Sequence, residues 1–264
     1  GDGVATLGIS ERMTLANLAS EMGAKNAVFP PDLVLAEYFE TEILENGVWA
    51  DADATYLKEI EIQLGDLFPV VAAPHHVDNV KAVSEVEGTP LHEGLIGTCT
   101  NGRIEDLREG AAVLKGKTVS EGFQLLITPA SRIIYQQAIK EGLIDIYLEA
   151  GANVLSPSCG PCLGTGQGIP ADGYNVISTA NRNFKGRMGN PNSSVYLASP
   201  TCVAMSAIAG KIVDPRDESH HDKYPYSIEQ SGTLEIPSGE NRRIESVWNY
   251  KDVDNLNTDQ MFAG

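Results

Sequence analysis

Three cysteines stand out as residues able to do chemistry. Cys99 lies in Gly97-Thr98-Cys99-Thr100-Asn101, and sixty residues later Cys159 and Cys162 lie in Ser158-Cys159-Gly160-Pro161-Cys162. A C-x-x-C pair serves as half of a zinc site, as a redox dithiol or as part of a cluster-binding loop. A thioredoxin-like dithiol wants the pair at a helix start, but Gly164, Gly166 and Gly168 follow at once and leave no clean start. A zinc site closes with four ligands, and histidines 75, 76, 92, 220 and 221 are not spaced to help. Three thiolates are one short of the usual complement of a closed iron–sulfur cluster. That count leaves one iron open to a substrate oxygen and points towards Lewis-acid chemistry.

The remaining cysteine, Cys202, opens an apolar helix after Ser199-Pro200 and reads as a buried free thiol. The run Gly164-Thr165-Gly166-Gln167-Gly168 lacks the Lys-Ser/Thr of a P-loop, so it is a weak phosphate site. A second chemical cluster is Asn181-Arg182-Asn183-Phe184-Lys185-Gly186-Arg187. Two guanidinium forks and two amides in seven residues suit carboxylates, thiolate or sulfide.

These groups need elements to hold them. Residues 14–22 carry apolar positions at helical spacing and stop at Gly23, and residues 32–44 resume that period. Residues 56–64 alternate with period 2, which predicts a strand with Ile60 and Ile62 on one face. Residues 74–79 read as a loop leaving this first unit. Beyond Leu91 the rhythm is regular, with strands at 94–97, 123–127, 152–155, 176–178 and 195–197. Helices are predicted at 103–114, 130–151 (breaking near Gly142) and 201–212. Strands alternating with helices predict parallel crossovers and an α/β fold, with a parallel sheet in a three-layer αβα arrangement. Both cysteine loops then follow strand carboxyl ends, where such sheets place their ligands.

The domain organisation expected is a partial α/β domain at 1–90, a second α/β domain at 91–215 with the cysteines, a linker at 216–245, and the start of a further domain at 246–264. With 36 acidic residues against 19 basic, the net charge of −17 repels phosphate backbones, so nucleic acid is not an expected partner. No apolar run approaches the ~20 residues of a membrane span. Four cysteines in 264 residues do not make a disulfide scaffold, and a reducing compartment fits: the cytoplasm, or the mitochondrial matrix in a eukaryote. The chain begins Gly1-Asp2-Gly3, which suggests processing or a piece of something longer.

Taken together, Cys99-Thr100-Asn101, the Cys159–Cys162 pair and Asn181-Arg182-Asn183-Phe184-Lys185-Gly186-Arg187 resemble the aconitase superfamily over most of residues 5–215. Gly102-Arg103-Ile104-Glu105-Asp106-Leu107 and Ser199-Pro200 are closer to its isopropylmalate isomerase and homoaconitase branch. The resemblance implies that Cys99, Cys159 and Cys162 hold a [4Fe–4S] cluster. It implies that Arg187 grips a substrate carboxylate, that Arg182 lies near the reacting centre, and that Asn181 hydrogen-bonds around the cluster. The segment Thr14-Leu15-Ala16-Asn17-Leu18-Ala19-Ser20-Glu21 is similar to the family segment that supplies an active-site Asn and Glu, here Asn17 and Glu21. Glu21 would help position the hydroxyl or water. The implied activity is dehydration and rehydration of a small hydroxy di- or tricarboxylic acid such as isopropylmalate or homocitrate/homoaconitate, with aconitate hydration as the alternative and an RNA-binding regulator a distant third. Family members also carry an N-terminal domain and a swivel domain or small subunit, and residues 246–260 are similar to the opening of the swivel domain. The expectation is therefore a central excerpt that binds a cluster without turning over alone.

Overall fold

Short apolar runs between glycine and polar turns become one sheet in the computed structural model, which describes residues 2–39 and 47–216. The strands are β1 (Val70–Ala72), β2 (Val80–Ala82), β3 (Glu93–Gly97), β4 (Gln124–Thr128), β5 (Asn153–Val154), β6 (Asn175–Ser178) and β7 (Ser194–Leu197). The α-helices are α1 (Ile9–Leu18), α2 (Leu33–Phe39), α3 (Val83–Val86), α4 (Thr98–Asn101), α5 (Ile104–Leu114), α6 (Arg132–Lys140), α7 (Leu143–Glu149), α8 (Gly160–Leu163) and α9 (Pro200–Ala209). Among the described residues the sheet order is β2-β1-β7-β6-β3-β4-β5. Strands β7, β6, β3, β4 and β5 run parallel, and β1 joins β2 and β7 antiparallel, making the sheet mixed. The α/β class is thus as expected.

Central β3 is buried along its whole length, as a parallel strand covered on both faces must be. Alternation sorts its side chains. Ile96, with Ile127 and Ile177, faces a core built from Leu107, Ala111 and Leu114 of α5, Tyr147 of α7, and Val203 and Ala207 of α9. Leu95 points the other way, into a smaller cluster with Leu126, Val176, Met188 and Val195. The Tyr147 hydroxyl donates to the Leu107 carbonyl at 2.7 Å, so burying this ring leaves no orphaned polar atom.

Helix ends follow local chemistry. Ser131 caps α6 by accepting from Ile134 N–H at 3.2 Å, and Ser199 caps α9 by accepting from Cys202 N–H. Gly142 at φ 73° breaks 130–151 into α6 and α7 where expected. Left-handed Gly210 ends α9 three residues before the expected stop, and Ile212 stays buried outside the helix.

Other expectations need correction. The first helix begins at Ile9 rather than 14, because Glu11 reaches back to accept Gly8 N–H at 2.6 Å, and it tightens into a 3-10 turn at Ala19–Met22. The second is described as Leu33–Phe39, and residues 40–44 of its expected span lie outside the described residues. Residues 56–64 are not a strand. Ile60 and Ile62 are exposed, and a period-2 pattern forms no strand without a partner for its N–H and C=O groups. The 74–79 loop does not leave the first unit; it links β1 to β2, a hairpin whose first strand pairs with β7. The expected linker beyond residue 216, with at most a short β element expected at 233–236, and the stretch 246–264 lie outside the described residues. No helix of the described residues is long and apolar enough to cross a membrane.

Candidate functional site

The cysteine turns sit at one end of the sheet because β3, β4, β5 and β6 all point there. Cys99 follows β3, Cys159 and Cys162 follow β5, and Asn181 to Arg187 follow β6, the neighbour of β3. Leaving β3 requires a close approach: a Cβ on Gly97 would lie 2.6 Å from the Thr128 carbonyl of β4. Thr98 then turns with φ 74°, a left-handed conformation strained for a β-branched residue by about 1–3 kcal/mol. Four-residue α4 follows, with Cys99 exposed and Thr98 and Thr100 buried.

At the second turn Cys159 caps the one-turn helix α8, with Pro161 in its first turn and Gly164 in the left-handed region ending it. A helix therefore does start at the C-x-x-C, contrary to expectation, but it lasts only four residues. Cys159 is exposed and Cys162 buried. Gly164 is glycine for a packing reason: a Cβ there would lie 2.2 Å from Gly189 N. The turn after Cys162 and the turn after Arg187 thus touch backbone to backbone. Between the end of β5 and the Cys159 turn lies an open cavity of about 380 Å³ with Leu155, Ser158, Thr165 and Gln167 on its walls.

The structure brings several expected residues together across the chain. Asn181 Nδ2 donates to Asn17 Oδ1, and Arg182 Nε donates to Glu21 Oε1 in an ion pair. Arg182 also donates through Nη2 to Ser20 Oγ at 3.0 Å. The second arginine turns to sulfur, with Arg187 Nη2 3.0 Å from Cys162 Sγ and its guanidinium 5.5 Å from the Phe184 ring centre. Its Nε is buried without a partner. Asn183 is a buried strut, its Nδ2 donating to the carbonyls of Ala72, Ala73 and Val195, which ties the β6 turn to the hairpin.

Sequence reasoning missed Ser20, Thr14 and Thr179 as contributors. Thr14 Oγ1 donates to Asn101 Oδ1 at 2.6 Å, and Thr179 Oγ1 accepts from Gly97 N–H at 2.8 Å. Hydroxyls with partners so distant leave no local pattern; position 179, just before Asn181, was the one available hint. Cys202 is the inert thiol expected, 1% exposed, and burial pushes it up to about 12.

Among the described residues no three of His, Cys, Asp and Glu come together tightly enough for one metal ion. A cluster gives each cysteine its own iron, and its ligands stand apart around it. The chemistry of the donors suits a cluster: three free thiols on two strand-end turns, one of them receiving an arginine N–H.

Residues 1–210 match the aconitase family (aconitate hydratase). The chain is 51% identical over 221 residues to the 3-isopropylmalate dehydratase large subunit 2 of Archaeoglobus fulgidus, covering 82% of this chain and 53% of that protein. It is 46% identical over 228 residues to the methanogen homoaconitase large subunit of Methanocaldococcus jannaschii, covering 82% and 54%. With the 3-isopropylmalate dehydratase large subunit of Syntrophus aciditrophicus the identity is 46% over 217 residues, covering 81% and 52%. The chain spans about half the length of these relatives. By the extent of these matches, the chain belongs to the aconitase family.

Proposed function

We propose that this chain supplies the cluster-bearing part of an iron–sulfur hydro-lyase that removes and re-adds water on a small hydroxy di- or tricarboxylic acid, isopropylmalate or homocitrate/homoaconitate. The observation that carries the reading is Arg187, which donates one N–H to Cys162 Sγ while a second, buried N–H stays unused. A guanidinium held against a cysteine ligand with a donor to spare suits a carboxylate bound beside the cluster. The names of the relatives, dehydratase and homoaconitase large subunits, favour these substrates over citrate and isocitrate.

In this reading Cys99, Cys159 and Cys162 hold a [4Fe–4S] cluster, which when bound supplies a Lewis acid that polarises the substrate C–O bond. Arg187 grips one carboxylate. Arg182 lies near the reacting carbon and holds Glu21, whose carboxylate orients the hydroxyl that departs. Asn181 and Asn17, bonded to each other, present amides around the sulfur ligands. A swivel domain or small subunit supplies the base that takes the proton from the adjacent carbon, and the 264 residues alone bind the cluster without turning over. The domains are read as 1–90 and 91–215, then a linker at 216–245 and the start of the swivel domain at 246–264. The cytoplasm is the expected compartment, and the charge of −17 speaks against an RNA-binding role.

Anaerobic reconstitution with iron and sulfide tests the reading. Four irons per chain, and a three-iron form by electron paramagnetic resonance after mild oxidation, are expected. A Cys99→Ser chain that still holds four irons would overturn the ligand assignment. Supplying both the N-terminal domain and the swivel domain or small subunit of a related enzyme should then give hydration of the unsaturated acid.

A further inference from the structure

Thr179 stands at the exit of β6, yet most of its hydrogen bonds go to the turn that carries Cys99. We propose that Thr179 is a positioning residue that fixes Cys99 as a ligand by clamping the backbone on either side of it; this rests on the cluster-binding reading above. Its hydroxyl accepts from Gly97 N–H at 2.8 Å and lies within donating distance of two carbonyls, Asn101 O at 3.1 Å and Gly97 O at 3.3 Å. Its own carbonyl accepts from Asn101 Nδ2 at 2.7 Å, and its N–H donates to Leu95 O at 2.9 Å. At 1% exposure, water is in no position to take over these bonds.

The turn needs such a clamp. Thr98 holds a left-handed φ that its side chain disfavours, and a strained residue persists only where its surroundings over-determine it. Cys99 is exposed and its Sγ lies 3.8 Å from Thr100 Oγ1, too weak a contact to aim it. Its direction is therefore set by Gly97 before it and Asn101 after it, and Thr179 bonds both. The chain of bonds continues outward. Asn101 Oδ1 accepts from Thr14 Oγ1, on the helix that carries Asn17 and leads to Ser20 and Glu21. One buried hydroxyl thus couples the Cys99 turn, through Asn101, to the helix that meets Asn181 and Arg182. Threonine suits the task because its hydroxyl both accepts and donates. Valine keeps the shape and does neither.

The test compares T179V, T179S and T14V with the wild-type chain of 264 residues by amide hydrogen exchange and, after reconstitution, by the rate of iron loss in air. In T179V, exchange at residues 97–101 and iron loss should each rise about tenfold, the factor for one lost net hydrogen bond. Exchange in β4 should not change, and T179S should behave as wild type. T14V, cut at the outer end of the chain, should show a smaller rise at 97–101. Should T179V fail to fold, T14V and T179S decide: wild-type exchange in T14V, or loss of protection in T179S, overturns the clamp. Wild-type exchange and iron retention in folded T179V also overturn it. A wild-type chain that takes up no iron would sink the cluster reading, while exchange at 97–101 in T179V would still decide whether the clamp exists.

Discussion

Glutamine at position 93 would remove a carboxyl whose ionised form the sheet has no means to solvate. Glu93 opens β3, flanked in register by Gln124 and Val176, at the end of the strand away from Cys99. It is 1% exposed and its Oε1 has no partner. Burial pushes its carboxyl from the ordinary 4.5 up to about 8. The folded chain therefore binds this proton more tightly than the unfolded chain does. The associated stability is fully present below about pH 4.5, declines as pH rises, and is lost above about pH 8. At about 1.36 kcal/mol per pH unit, wild type loses roughly 3 kcal/mol between pH 4.5 and 7 through this one group. The Glu93→Gln chain does not titrate there. An amide left without a partner costs the same at every pH, so it moves the curve without changing its slope. Asp106 and Glu109, which burial pushes up to about 6 and about 7, titrate in both chains and cancel in the difference. Urea unfolding of both chains from about pH 5 to 8 measures that difference, which should grow by about 1 kcal/mol or more per pH unit in favour of the variant. A difference constant across the range would mean that Glu93 is ionised and partnered, and would refute the reasoning.

The remaining expectations concern packing and reactivity. Gly164→Ala drives a Cβ into the Gly189 backbone at a left-handed position and should cost about 2–4 kcal/mol in urea unfolding; a loss under about 1 kcal/mol would mean the two turns part easily. Arg12→Met removes a 4% exposed guanidinium that holds Asp32 and the carbonyls of Val4 and Leu7, and should lower stability by about 3 kcal/mol. Although burial opposes it, the hydrogen bonds from Arg12 hold the Asp32 carboxyl below its ordinary value, so this contribution fades as pH falls through the acid range. Alkylation of the native apo chain followed by peptide mapping should label Cys99 and Cys159 quickly and Cys202 only on unfolding; equal rates would contradict its burial.

Much of the sheet was legible because each of its central strands is a short apolar run between breakers, and the break between α6 and α7 because Gly142 is punctuation with a mechanism. Strands β1 and β2 were not, since three residues are too few to display a period. Residues 56–64 misled in the opposite sense: alternation describes the faces of a strand but says nothing of whether a neighbour exists to receive its hydrogen bonds. At the site, the three cysteines and the arginine run announced themselves by residue type. The pairing of Asn17 with Asn181 and of Glu21 with Arg182 has no local signal, and these residues were singled out by resemblance to a family. Thr179 had neither advantage.

The bonds that build the site join residues far apart in the chain: Asn17 to Asn181 across 164 positions, Glu21 to Arg182 across 161, and Gly97 to Thr179 across 82. Contacts of that separation form late, after the parallel strands have found one another. A nascent chain that has emerged only as far as Cys162 has all three thiols but neither the Thr179 bonds that hold the Cys99 turn nor the arginine against Cys162. If these thiols hold a cluster, as proposed, its delivery would follow synthesis of the turn after β6, and the interval before it is when the thiols are most exposed to oxidation.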